Sequence, residues 1–319
     1  MHLYLIRHAE TVDNVSGVLA GVRDSALTNY GHDQAHKLGA YFAALGVQHT
    51  HIFCSPLQRT VKTSEAIVKA RKSDEVMEIV RVHDLIEQDF GYYEGKPFHA
   101  RTANSPGKSG RDAHRERHKD QPGFIDVETK ESMCKRADAF LDEHLMPLFC
   151  TEEPHSNLVV AIVSHGMLLG NLWRRLLSRL PRKSLTIASQ VSATRDGIIL
   201  EHLGGWSNTG YLELVIRKDD RSDVSPSYAP SADPQMAEAV SDGAAQTTEA
   251  PDLDVENTKA DRLRAPKRLL DDYTTTILAI DSKAHLNGLK RQRGGIGRLA
   301  HDEGQKKISG FFAKKQKTT

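Results

Sequence analysis

Apolar positions in this chain follow two periods, and these alternate along the first 216 residues. Leu3–Ile6 is a short unbroken apolar run, the pattern of a buried strand. Gly31–Leu45 changes to helical spacing, with Ala35, Leu38, Phe42 and Leu45 on one face and Gly46 as a stop signal. Ile52–Cys54 predicts a second strand and Leu57–Arg71 a second helix. The helical period returns over Lys130–Phe149 through Met133, Ala137, Phe140, Leu141, Leu145 and Leu148. Leu158–Val163, continuously apolar and rich in Val and Ile, predicts the clearest buried strand, and Met167–Leu180 a helix ended by Pro181. Two more strands are expected near Gly197–Leu203 and Tyr211–Ile216. Strand–helix alternation with continuous apolar strands predicts an α/β layer fold with a largely parallel sheet.

Past Lys218 the pattern fails. Residues 219–262 are mostly Ser, Ala, Pro, Asp and Glu, too poor in large apolar side chains to form a core, and predict an acidic disordered linker. Residues 263–319 predict a basic tail. Within it Tyr273–Ile280 has the composition of one short strand or helix, with no core expected around it. The overall charge, 43 Lys and Arg against 42 Asp and Glu, conceals this reversal of sign, which is the signature of a tail and not of a packed surface. The domain is therefore expected to end at residue 218.

Three cysteines, Cys54, Cys134 and Cys150, show neither a disulfide framework nor zinc spacing, which favours a reducing compartment. The opening apolar run breaks at Arg7, too early for a secretory leader, and no stretch is long and apolar enough to span a membrane. An intracellular protein, nuclear and/or cytoplasmic, is the expectation.

The chemistry-bearing residues share one place in the predicted architecture. Arg7 and His8 follow the first strand, Ser55 and Arg59 the second, and His165 the strand at Leu158–Val163. In a parallel sheet the carboxyl ends of the strands line one edge, so two arginines and two histidines converge there. Arginine pairs with phosphate oxygens in bidentate fashion, and a neutral imidazole between two of them can attack phosphorus. A single histidine at a strand end is usually structural; the recurrence of both residue types at successive strand ends outweighs that reading.

The motifs around these residues resemble those of the histidine phosphatase superfamily, the phosphoglycerate mutase-like clan. R-H-A-E-T-x-x-N at Arg7–Asn14 resembles its R-H-G-E-T-x-x-N signature. In order follow D-S-A-L-T-x-x-G-x-x-Q-A from Asp24, S-P-L-x-R-T-x-x-T from Ser55, L-I-E-Q-D-F-G-Y-Y-E-G from Leu85, Glu131–Ser132 and V-S-H-G from Val163. Ala9, Ser25 and Lys130 depart from the family pattern without removing a reacting group. The resemblance implies a three-layer α/β/α fold, a phosphohistidine on His8, phosphate held by Arg7, Arg59, His165 and Asn14, and Glu87 as general acid and base. It implies no metal and no cofactor. The basic stretch 96–130, where the family places its substrate cap, differs from the longer cap of glycolytic mutases and favours a phosphatase over a mutase. The phosphorylated substrate is not specified by the sequence.

The tail carries its own motif. Gln305, Ile308, Phe311 and Phe312 resemble the box Q-x-x-[ILM]-x-x-[FY]-[FY] by which proteins bind proliferating cell nuclear antigen, the replication sliding clamp. Adjacent aromatics in a polar basic segment form an apolar plug of the kind that anchors a partner. The Lys and Arg runs nearby are also compatible with nuclear import or nucleic-acid contact. A non-catalytic, clamp-binding adaptor is the competing class of function.

Overall fold

The computed structural model describes residues 1–73, 75–97, 115–150, 157–194, 197–219, 270–292 and 295–302. The predicted first strand is β1 (His2–Arg7). It is followed by α1 (Val12–Ser16), α2 (Asn29–Ala44), β2 (His51–Cys54), α3 (Gln58–Lys69) and β3 (Ile79–Arg81). Next come α4 (Lys130–Phe140), β4 (Val159–Ser164), α5 (Gly166–Leu177), β5 (Leu185–Ile187), α6 (Ser189–Ser192), β6 (Tyr211–Lys218) and β7 (Tyr273–Ser282). The helical pattern of 130–149 is realised as α4, a π-helical turn at Leu141–Leu145 and a 3₁₀ turn at Met146–Cys150.

The strands form one seven-stranded sheet in the order β3-β2-β4-β1-β6-β7-β5. β1, β2, β3 and β4 pair in parallel, β6 lies antiparallel to both β1 and β7, and β5 is parallel to β7. The sheet is thus mostly parallel, with β6 alone reversed. Alternate residues of the central strands feed two cores. Leu3, Leu5, Val160 and Ile162 pack with Ala137, Phe140, Leu168, Leu172 and Trp173 of α4 and α5. Tyr4, Ile6, Ala161 and Val163 pack with Leu38, Phe42, Val61 and Ile67 of α2 and α3. Both faces are covered, which is why these strands read as unbroken apolar runs.

Two expectations fail. The segment at Gly197–Leu203 is not a strand. It crosses the end of α5, where the Leu200 carbonyl accepts a 2.6 Å hydrogen bond from the Trp173 indole and Leu203 is buried. Its place in the sheet belongs to β7, which pairs with β6 on one side and β5 on the other. The apolar run at Tyr273–Ile280, expected to lack a core, is the middle of β7, with Ile277 and Ile280 buried in the larger core. The core around it is supplied by residues before 218, so a local reading of the sequence could not see it. The domain boundary drawn at 218 therefore falls too early.

Lys218 pairs with Tyr273, and the Asp219 amide donates to the Asp272 carbonyl at 2.6 Å. β6 and β7 are thus antiparallel neighbours joined by residues 219–272. Loop-closure entropy grows only with the logarithm of length, so for a flexible chain a connection of this length costs about 2 kcal/mol more than a four-residue loop. Residues 220–269 themselves, and the motif at Gln305, Ile308, Phe311 and Phe312, lie outside the described residues.

Candidate active site

The carboxyl ends of β1, β2 and β4 bring together the residues the sequence placed there. Arg7 ends β1, and His8 follows it with its amide bonded to the Ser164 carbonyl at 3.0 Å. Arg59 lies in the first turn of α3, and His165 is the N-cap of α5. The rings of His8 and His165 lie 5.1 Å apart, and Arg59 Nε donates to His165 Nδ1 at 3.1 Å. His8, Arg59 and His165 are all buried.

Hydrogen bonds fix the tautomers. His8 Nδ1 lies 2.7 Å from the Ala9 carbonyl, which can only accept, so the proton sits on Nδ1 and Nε2 keeps its lone pair. His165 accepts at Nδ1, so its proton sits on Nε2. Both imidazoles are held neutral, their pKa values pushed well below the ordinary histidine range. Burial is the main cause, followed by the positive charge of Arg59; the Ala9 carbonyl opposes the shift at His8 and loses.

Two donors in this pocket have no partner: Arg7 Nε and His165 Nε2, both buried. A buried donor left unsatisfied costs about 1–3 kcal/mol. Two of them beside a neutral histidine form a site for an oxyanion. Arg7 spends another of its hydrogens on the Trp206 carbonyl at 2.6 Å. Burial lowers the Arg59 pKa to about 10, opposed by Glu87 first among nearby acids, so Arg59 remains charged at neutral pH. Its Nη1 donates to the Arg23 carbonyl and its Nη2 to the Ala20 and Gly21 carbonyls.

Glu87 closes the site from the helix side. Its Oε1 accepts from the Gln88 and Leu168 amides, and Oε2 from the Met167 amide at 3.0 Å. The carboxylate thus sits on the N-terminus of α5, where backbone N–H groups and the helix dipole favour negative charge. Asn14 is nearby, but its Oδ1 is committed: it closes the capping box of α1 with Thr11 and accepts from Asn208 at 3.1 Å. Ser55 is buried at the end of β2 and turns the chain into α3 through the Leu57 amide and Thr60 hydroxyl.

Several supporting residues escaped the sequence reading. Glu94 accepts from the Gly21, Val22, Arg23 and Phe90 amides, shaping the loop whose carbonyls hold Arg59. A Cβ at Gly21 would collide with the Gln88 carbonyl, so only glycine fits there. Arg136 pairs with Glu128 at 2.7 Å and donates to the Asp84 and Ile86 carbonyls, fixing the strand exit that carries Glu87. Asn208 Nδ2 donates to the His8 carbonyl at 3.1 Å. Glu94 stood inside a quoted motif; Arg136 and Asn208 had no signal, because they act on main-chain atoms.

The family model of the histidine phosphatase superfamily (branch 1) matches residues 3–197, well over half the chain. The chain belongs to that superfamily. A Schizosaccharomyces pombe protein named a probable phosphatase is 33% identical over 178 residues, 55% of this chain and 56% of the relative. The chain thus spans little more than half the length of that relative. A Salmonella arizonae protein named a probable phosphoglycerate mutase is 32% identical over 178 residues, 56% of this chain and 75% of that protein. A solved structure titled mycobacterial hydrolase 1 is 22% identical with a TM-score of 0.49, covering 70% of this chain and 92% of its own. Superfamily members therefore carry both phosphatase and mutase names.

Among the described residues, no group of three or more His, Cys, Asp or Glu side chains is placed to hold a metal ion, and no helix is long and apolar enough to cross a membrane.

Proposed function

We propose that this protein is a phosphomonoester phosphatase that acts through a phosphohistidine on His8. The observation that carries this reading is the pair of orphaned donors, Arg7 Nε and His165 Nε2, beside an imidazole whose Nε2 lone pair is free. Phosphoryl oxygens satisfy both donors, and Arg7 and Arg59 balance their charge. His8 Nε2 attacks phosphorus; an N–P bond forms as the ester P–O bond breaks. The leaving oxygen takes a proton from Glu87. Oε2, which holds one backbone donor where Oε1 holds two, is the oxygen with room for that proton. Giving it up creates the anion that the Met167, Leu168 and Gln88 amides solvate. Water then attacks the phosphohistidine and returns a proton to Glu87, releasing inorganic phosphate and restoring His8.

The charge needed at phosphorus is present in Arg7 and Arg59. Full-length His8→Ala should lose hydrolysis of an aryl phosphate by at least about a thousandfold, the scale on which a covalent nucleophile contributes, while its thermal melt stays cooperative. Turnover within a few-fold of wild type would contradict the assignment. Mutase activity would require a second phosphate acceptor to outcompete water, so phosphate release without added acceptor separates the two reactions.

The tail motif supports a second part of this reading, recruitment to a replication sliding clamp through Gln305, Ile308, Phe311 and Phe312. Its support is the spacing of one polar and three apolar side chains in a basic segment. A pure adaptor would have no use for a pocket with orphaned donors.

A further inference from the structure

Three side chains of the C-terminal segment reach the loops that carry the catalytic pair. Asp281, near the end of β7, accepts from both the amide and the hydroxyl of Ser207 at 2.8 Å. His285 Nε2 lies 2.8 Å from the Thr209 hydroxyl, which itself donates to the Asn208 carbonyl. The hydroxyl can therefore only accept from His285, whose Nε2 carries the proton. Arg291 pairs with both oxygens of Glu10, two residues after His8, and lies over the Tyr30 ring at 4.2 Å.

The turn at 207–210 that Asp281 and His285 hold is the direct scaffold of Arg7 and His8. The Gly210 carbonyl accepts from the Arg7 amide at 3.1 Å, and the Thr209 amide donates back to the Arg7 carbonyl at 3.0 Å. Trp206 and Asn208 add the bonds to the Arg7 guanidinium and the His8 carbonyl described above. The turn is strained: Thr209, a β-branched residue, has φ +56°, and Asp281 itself has φ +45°. A Cβ on Gly210 would collide with Asp281 Oδ1, so the close approach needs glycine. Strain of this kind persists only where the surroundings over-determine it, and the contacts of Asp281 and His285 do so.

We propose that Asp281 is a positioning residue for catalysis: by clamping the 207–210 turn it sets the Arg7 guanidinium on the phosphoryl group, so the segment beyond the acidic connection is part of the catalytic machinery. This rests on the phosphate-binding reading of Arg7. Arg7 holds the Trp206 carbonyl with one nitrogen and presents Nε to the pocket. A turn free to relax would let the guanidinium swing with it. Misplacement by about 1 Å can cost on the order of a hundredfold in rate. Asp281 also bears a charge within electrostatic reach of Arg7.

The test uses the full-length protein, with orthovanadate as the bound probe and an aryl phosphate as the substrate. Asp281→Ala removes both acceptors; Asp281→Asn keeps one oxygen for the Ser207 amide and guards against a variant that simply fails to fold. Asp281→Ala should weaken vanadate binding and lower kcat/KM by roughly ten- to a hundredfold, and Asp281→Asn should fall between it and wild type. In an Arg7→Lys background Asp281→Ala should cost at most about twofold more, because the group it positions is gone. Wild-type vanadate affinity and turnover in a folded Asp281→Ala protein would overturn the proposal. So would a loss that is fully additive with Arg7→Lys, the mark of a merely structural role. If wild type itself bound no vanadate and released no phosphate, the function reading would fail, and this inference with it.

Discussion

A histidine is useful as a nucleophile only while it is neutral, and the residues around His8 keep it so. Burial and Arg59 depress His8 and His165, and burial depresses His49 and His285 to about 4. The sign for stability follows from proton counting. Below about pH 6.5 an unfolded histidine binds a proton that these folded histidines refuse, so the unfolded state binds more protons and stability falls as pH drops. The melting temperature should therefore decline between about pH 6.5 and 5, above the range where most carboxylates titrate, and replacing His49 by Gln should reduce that slope. A flat or rising melting temperature across this window, read by circular dichroism, would contradict the assignment of neutral buried imidazoles. At the residue scale, the meeting of Arg7, His8, Arg59 and His165 at one sheet edge was legible because each lies at or soon after a strand end, whereas Glu87 entered only through the motif resemblance. Glu94, Arg136, Asn208 and Asp281 were not legible, because they hold backbone amides and carbonyls, and any sequence supplies those. Asn14 was legible as a site neighbour, but its oxygen serves a helix cap.

At the scale of elements, strands buried on both faces were easiest to read. β1, β2 and β4 fall within a residue or two of their predicted bounds, since a continuous apolar run bounded by polar residues admits few alternatives. Gly197–Leu203 misled because its Ile198, Leu200 and Leu203 do pack on the core, but from an irregular loop. β7 was recognisable as a possible strand and unplaceable, because its partner lies across 54 residues of intervening sequence between Lys218 and Tyr273. The tail motif lies outside the described residues, and its docking on a sliding clamp is a proposal. If it docks as its spacing suggests, one tight helical turn sets Ile308 and Phe311 on the same side with Phe312 adjacent. A peptide covering residues 304–317 should bind the sliding clamp in calorimetry at roughly micromolar affinity, about −8 kcal/mol. Replacing Phe311 and Phe312 together by Ala should abolish detectable heat, since each buried aromatic contributes about 1.5–3 kcal/mol. No heat and no clamp resonance shifts with the wild-type peptide would make the motif a coincidence.

For the whole molecule, the α/β unit is discontinuous in sequence. Its sheet is completed only when β7 returns beside β6, and the returning segment reaches the 207–210 turn through Asp281 and His285 and the residues after His8 through Arg291. The connection between the two strands leaves and re-enters at one point, the Asp219–Asp272 contact. The central proposal is that His8 takes the phosphoryl group, and rapid-quench labelling tests it most directly. Full-length protein mixed with a ³²P-labelled phosphomonoester and quenched in base within milliseconds should retain covalent label on His8. That label should be stable in base, labile in acid and absent from His8→Ala. Steady turnover with no base-stable label, or label on any other residue, would contradict the account.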